Sequence, residues 1–152
     1  MRLSTALLLV VSLIMSAGVL AAQAGDPFVG VWKQVQAQAI GEPPAKSATV
    51  TIGADGAVKV ESMSAEGKPA VMSWAGAESE APVTGTGEGL TIERRLFGDR
   101  TVDMSMKLKG QVVSSYVCEV SADGKTMTCI GKGMNLAGQP VGSFAVYRKA
   151  SE

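Results

Sequence analysis

The stretch Thr101-Val102-Asp103-Met104-Ser105-Met106-Lys107-Leu108-Lys109-Gly110-Gln111-Val112-Val113-Ser114-Ser115-Tyr116-Val117-Cys118-Glu119-Val120-Ser121-Ala122-Asp123-Gly124-Lys125-Thr126-Met127-Thr128-Cys129 decides the fold. Val102, Met104, Met106 and Leu108 alternate with Asp103 and Lys107, a period of two that belongs to a half-buried strand and not to a helix. Lys109-Gly110 and Ala122-Asp123-Gly124-Lys125 are tight-turn signals, because Gly accepts positive φ and Asp bonds back to its own backbone. The stretch therefore reads as three antiparallel strands and two turns.

About the second turn, Val120 falls opposite Met127 and Cys118 opposite Cys129. A hairpin centred on Asp123-Gly124 sets the two sulfurs side by side on one face. These are the two cysteines of the chain, and in an oxidising compartment they form a disulfide. A redox-active thiol is the competing reading. It lacks both a CxxC spacing and a histidine to activate it.

The same pattern extends in both directions. Upstream come Phe28 to Gln36, Thr49 to Ile52, Val58 to Glu61, Ala70 to Trp74 and Leu90 to Arg94, with a short strand at Pro82-Val83-Thr84. Downstream come Thr126 to Met134 and Val141 to Arg148. Short turns make sequential strands antiparallel neighbours. A sheet of eight to ten strands must close or fold over to cover its edges. The expected fold is all-β, an up-and-down antiparallel barrel over residues 25–152, with a two-sheet sandwich as the alternative.

The first 24 residues stand apart. Arg2 precedes an apolar run from Ala6 to Leu20, and Ala22-Gln23-Ala24 gives the small-x-small pattern of a signal-peptidase site. The run is shorter than the roughly 20 residues of a spanning helix. Residues 1–24 read as a cleavable signal peptide, which makes the rest periplasmic or secreted, with no membrane insertion.

Composition narrows the function. The 152 residues hold 14 Lys+Arg against 14 Asp+Glu, which argues against a nucleic-acid surface. Histidine is absent, so Ser-His-Asp and Cys-His chemistry is excluded. Gly85-Thr86-Gly87-Glu88-Gly89 lacks the Lys-Ser/Thr and the helix of a phosphate-binding loop. Glu78, Glu80 and Glu88 could form a hard-cation site, but they read as ordinary exposed loop carboxylates, and no metal or cofactor is expected.

Alternation nominates an inward face that runs through Val50, Ile52, Val58, Val60, Met72, Trp74, Leu90 and Ile92. It continues through Val102, Met104, Met106, Leu108, Tyr116, Val120, Met127, Phe144 and Val146. Four Met on that phase would make an adaptable apolar lining, or would simply fill gaps in a small core. Arg94 shares the phase of Leu90 and Ile92. It either points inward and needs a partner, such as the acid group of a ligand, or lies at the rim and reaches water.

Asp26-Pro27-Phe28-Val29-Gly30-Val31-Trp32 contains Gly-x-Trp on the first strand, which resembles the opening signature of the lipocalin-like (calycin) barrels. The resemblance implies that Trp32 closes one end and that a terminal arginine, here Arg148, stacks over it. The runs Pro44 to Val50, Pro82 to Gly85, Ser121 to Thr128, Gly138-Gln139-Pro140 and Val146-Tyr147 are similar to small, mostly uncharacterised exported proteins of Gram-negative bacteria.

Two functions fit. The first is a non-catalytic carrier or sensor of a small hydrophobic ligand, lined by Met72, Trp74, Met104, Met106 and Tyr116 with Arg94 at a polar head. The second is a periplasmic protein-interaction module such as a protease inhibitor, with a filled core and working loops at Ala37 to Pro44 and Gly76 to Gly89. No enzyme activity is expected.

Overall fold

The computed structural model describes residues 25–76, 80–135 and 137–151; the expected signal peptide lies outside them. Ten strands follow one another: β1 (Gly30–Ile40), β2 (Ser47–Ile52), β3 (Val58–Met63), β4 (Pro69–Trp74) and β5 (Glu80–Pro82). The second half comprises β6 (Leu90–Phe97), β7 (Thr101–Leu108), β8 (Gln111–Val120), β9 (Thr126–Met134) and β10 (Pro140–Lys149). No helix occurs among the described residues.

All ten strands form one antiparallel sheet in which β1 pairs with both β2 and β10. The meander thus comes round on itself, and the first and last strands share the long ladder from Trp32↔Lys149 to Ile40↔Gly142. The two remaining edges, β4 and the segment after β5, meet at a single bridge between Ser73 and Thr84. There the Ser73 N–H donates to the Thr84 carbonyl at 3.1 Å, and the Thr84 N–H donates back at 2.9 Å. The two hydroxyls lie 2.8 Å apart. The result is a nearly closed barrel, and the sandwich alternative is set aside.

The β8–β9 hairpin has the expected register, with Cys118 opposite Cys129 and Val120 opposite Met127. Cys118 and Cys129 form a disulfide. Its turn is held by Asp123 Oδ1, which accepts from the Ser121 hydroxyl and from the Lys125 N–H.

Several strands depart from the alternation reading. β1 starts at Gly30 and runs on to Ile40, while Phe28 turns inward ahead of it and is 1% exposed. An extra residue on β1 between Gln34 and Gln36 shifts the register. Past this bulge the less exposed phase changes from Trp32 and Gln34 to Ala37 and Ala39. The short strand expected at Pro82-Val83-Thr84 is β5, two residues earlier, followed by the bridge at Thr84. Leu108 is 41% exposed, because it sits at the end of β7.

The last strand has the opposite phase to the one expected. Cys129 pairs with Ala145 and Met127 with Tyr147, so Ala145 and Tyr147 share the inner face of the cysteines. Phe144 instead pairs with Ile130, which is 60% exposed, and Val146 pairs with Thr128. Phe144 and Val146 therefore lie on the outer face. Both phases of this strand are apolar, so alternation could not choose between them.

Burial is deepest around Trp32, Phe28 and Val120, joined by Ile52, Val58, Val102, Cys118 and Met127. The disulfide ties two of the central strands beside this cluster. With a sequence separation of 11, the chain-entropy account assigns it about 3 kcal/mol. Replacing both cysteines by Ala should lower the unfolding free energy by about that amount, measured by urea titration of the variant beside the oxidised wild type.

Candidate functional site

The barrel holds a cavity of about 180 Å³. Its walls are almost wholly apolar. Met72, Trp74, Arg94, Met104, Met106 and Tyr116, the residues nominated from sequence, all line it. Alternation explains why: Met72 and Trp74 sit on β4 two residues apart, as do Met104 and Met106 on β7. Arg94 and Tyr116 are the two cross-strand partners of Met104.

Sequence reasoning missed Phe28, Tyr147 and the sulfurs of Cys118 and Cys129, which also line the cavity. Tyr147 was hidden by the phase of β10. An inward disulfide carries the signal that finds it, because residues paired with Met127 and Cys129 must face the same way. Gly131 makes room beside this wall: a Cβ there would come within 2.6 Å of the Tyr116 ring. Substitution at Gly131 would push the phenol out of place.

The floor comes from the segment that precedes β1. The Trp32 indole N–H donates to the Phe28 carbonyl at 2.7 Å, and Trp32 is 0% exposed. The cation over the Trp32 ring is Lys149, with Nζ 5.0 Å from the centroid, and not Arg148 as the resemblance implied. Lys149 is the cross-strand partner of Trp32, whereas Arg148 pairs with Lys33 and is exposed. Lys149 Nζ also donates to the Pro27 carbonyl at 3.3 Å. Its side chain crosses Gly30, where φ is +134° and a Cβ would stand 2.6 Å from Cε. The backbone conformation favours glycine there, and a Cβ would also push the lysine off its place beside the indole, which gives the Gly-x-Trp spacing its physical meaning.

Arg94 points inward and is the one charged side chain on the described wall. Its guanidinium Nη2 lies 3.7 Å from Asp26 Oδ2, with side-chain exposures of 15% and 38%. That separation makes an ion pair without a direct hydrogen bond. The guanidinium carbon is 6.0 Å from the Phe28 ring centroid. The Phe28 N–H donates to the other Asp26 oxygen at 2.9 Å, so Asp26 links floor and wall. Trp74 Nε1 is buried and has no hydrogen-bond partner among the described residues.

Outside the barrel, Lys107 Nζ bridges Glu80 at 3.1 Å and Glu93 at 2.7 Å. The Thr91 hydroxyl and Lys107 hold the Glu80 carboxyl below its ordinary pKa. Glu80 is thereby committed to a lysine, and Glu78 of the weighed cation site lies outside the described residues. No group of three potential His, Cys, Asp or Glu ligands occurs among the described residues. No protein-family model matches the chain, and no curated protein is detectably similar to it.

Burial, and then the nearby Tyr116 phenol, raise the pKa of Tyr147 above its ordinary value. The unfolded phenol ionises near pH 10, while the folded one keeps its proton longer. Above that pH the native state binds more protons, so its stability falls as pH rises. Phenolate absorbance should show a component titrating above pH 10 that is lost in Tyr147→Phe. The same variant should flatten the alkaline decline in stability.

Proposed function

We propose that this chain is an exported, lipocalin-like barrel that carries or senses a small hydrophobic molecule in its interior and performs no catalysis. The cavity carries this reading, because an apolar void walled by Met72, Met104, Met106 and Met127 is a place for an apolar guest. Thioether side chains are unbranched and polarizable, so they can follow the outline of more than one guest. The disulfide supports an oxidising compartment. Gly30 and Trp32, with a cation over the indole, support the lipocalin-like assignment.

Size sets the guest. At about 180 Å³ the void is slightly larger than the roughly 150 Å³ engineered cavity that accepts benzene, and below the ~300–1,000 Å³ of drug-sized sites. One ring or a short chain fits as the cavity stands, and a longer chain requires the Met side chains to move. A protein-interaction role with a filled core has less support, since the interior keeps this void.

Titration with toluene and with short-chain fatty acids should change the Trp fluorescence, and Trp74→Phe should remove most of that change. Native mass spectrometry should show one guest per chain. A flat fluorescence response across single-ring and short-chain probes, with no retained mass, overturns the reading.

A further inference from the structure

We propose that the cavity selects apolar molecules bearing one carboxylate, and that Asp26 is the resident anion which the guest's carboxylate displaces from Arg94. The inference rests on the carrier reading above. It adds the chemical class of the guest and names Asp26 as a specificity-determining residue.

The polar chemistry of the wall leans towards donors, with the two phenols also able to accept. Arg94, the phenols of Tyr116 and Tyr147, and the indole of Trp74 are its polar side chains among the described residues, and no carboxylate or amide stands among them. Each of the four can donate a hydrogen bond, and the guanidinium cannot accept one. An apolar guest with an acceptor head satisfies such a wall, whereas a cationic guest meets like charge. Of the four, Trp74 Nε1 is buried without a hydrogen-bond partner among the described residues. A carboxylate is favoured over other acceptors because its two oxygens match the planar fork of a guanidinium.

The present partner of Arg94 is poorly matched. Asp26 Oδ2 stands at 3.7 Å, too far for the forked pair, and its side chain is 38% exposed. Turning that oxygen to water costs little, and Oδ1 keeps the Phe28 N–H throughout. A guest carboxylate inside the cavity would approach the guanidinium from the drier side, where the pair is stronger than one at the surface.

Three single-ring probes separate the possibilities: benzoate, toluene and benzylamine, titrated calorimetrically into the folded protein. The wild type should bind benzoate at least about tenfold tighter than toluene, and benzylamine most weakly. Arg94→Met should remove about tenfold or more of the benzoate affinity and leave toluene within roughly twofold. Arg94→Lys should recover part of the loss. Asp26→Asn should tighten benzoate by roughly threefold while toluene stays unchanged.

Toluene binding with no preference for benzoate overturns this inference and leaves the carrier reading standing. Binding of none of the three overturns both. If Arg94→Met does not fold, as judged by circular dichroism, Asp26→Asn decides alone. An unchanged benzoate affinity in that variant overturns the competition.

Discussion

The hydrogen bond from the Trp32 indole to the Phe28 carbonyl organises this barrel. It is 2.7 Å long and fully buried, so losing it would leave a polar N–H stranded in the core. It also fixes where the chain ahead of β1 must go. Held by that bond on one side and by the Lys149 ammonium on Pro27 on the other, the segment can only turn Phe28 up into the barrel. The floor of the cavity, and the position of Asp26 beside Arg94, both follow from it. A single indole thus links the closure of one end to the electrostatics of the interior.

The interior is divided accordingly. Around Trp32 and Val120 the side chains are packed without exposure, and burial is deepest there. Farther along the barrel thioethers, phenols and one guanidinium join the aliphatic side chains of the wall, and the packing leaves a void. Empty volume forfeits dispersion contacts, so a chain of this size does not keep one for stability's sake. The bulge on β1 contributes to the same division: it brings Ala37 and Ala39, not Gln36 and Gln38, onto the less exposed phase.

Much of this was legible in the sequence. Strand number, antiparallel order and hairpin register follow from period-two alternation and from turns such as Asp123-Gly124, where local chemistry decides the geometry. Met104 and Met106 were legible because Asp103, Ser105 and Lys107 take the opposite phase, and Met72, Trp74 and Tyr116 followed from the period of two, whereas Arg94 was open between the cavity and the rim until its burial placed it on the wall. Where both phases were apolar, as with Phe144 and Val146 against Ala145 and Tyr147, local pattern carried no direction. Only pairing with the disulfide strand settled it. The identity of the cation on Trp32 failed for a related reason. Arg148 and Lys149 are neighbours in sequence, and the register that selects Lys149 is a property of the β1–β10 ladder.

The join at Ser73 and Thr84 gives the molecule an uneven distribution of closure entropy. The bond from Lys149 to Pro27 draws together residues 122 apart, whereas the Ser73–Thr84 bridge joins residues only 11 apart. Bringing distant segments together costs more configurational freedom than bringing near ones. The extensive ladder is therefore spent where the chain must be gathered from its two extremes, and the sparse one lies where sequence neighbours find each other again at small entropic cost. A parting of this thin line breaks pairing between near neighbours in sequence and leaves the β1–β10 ladder paired.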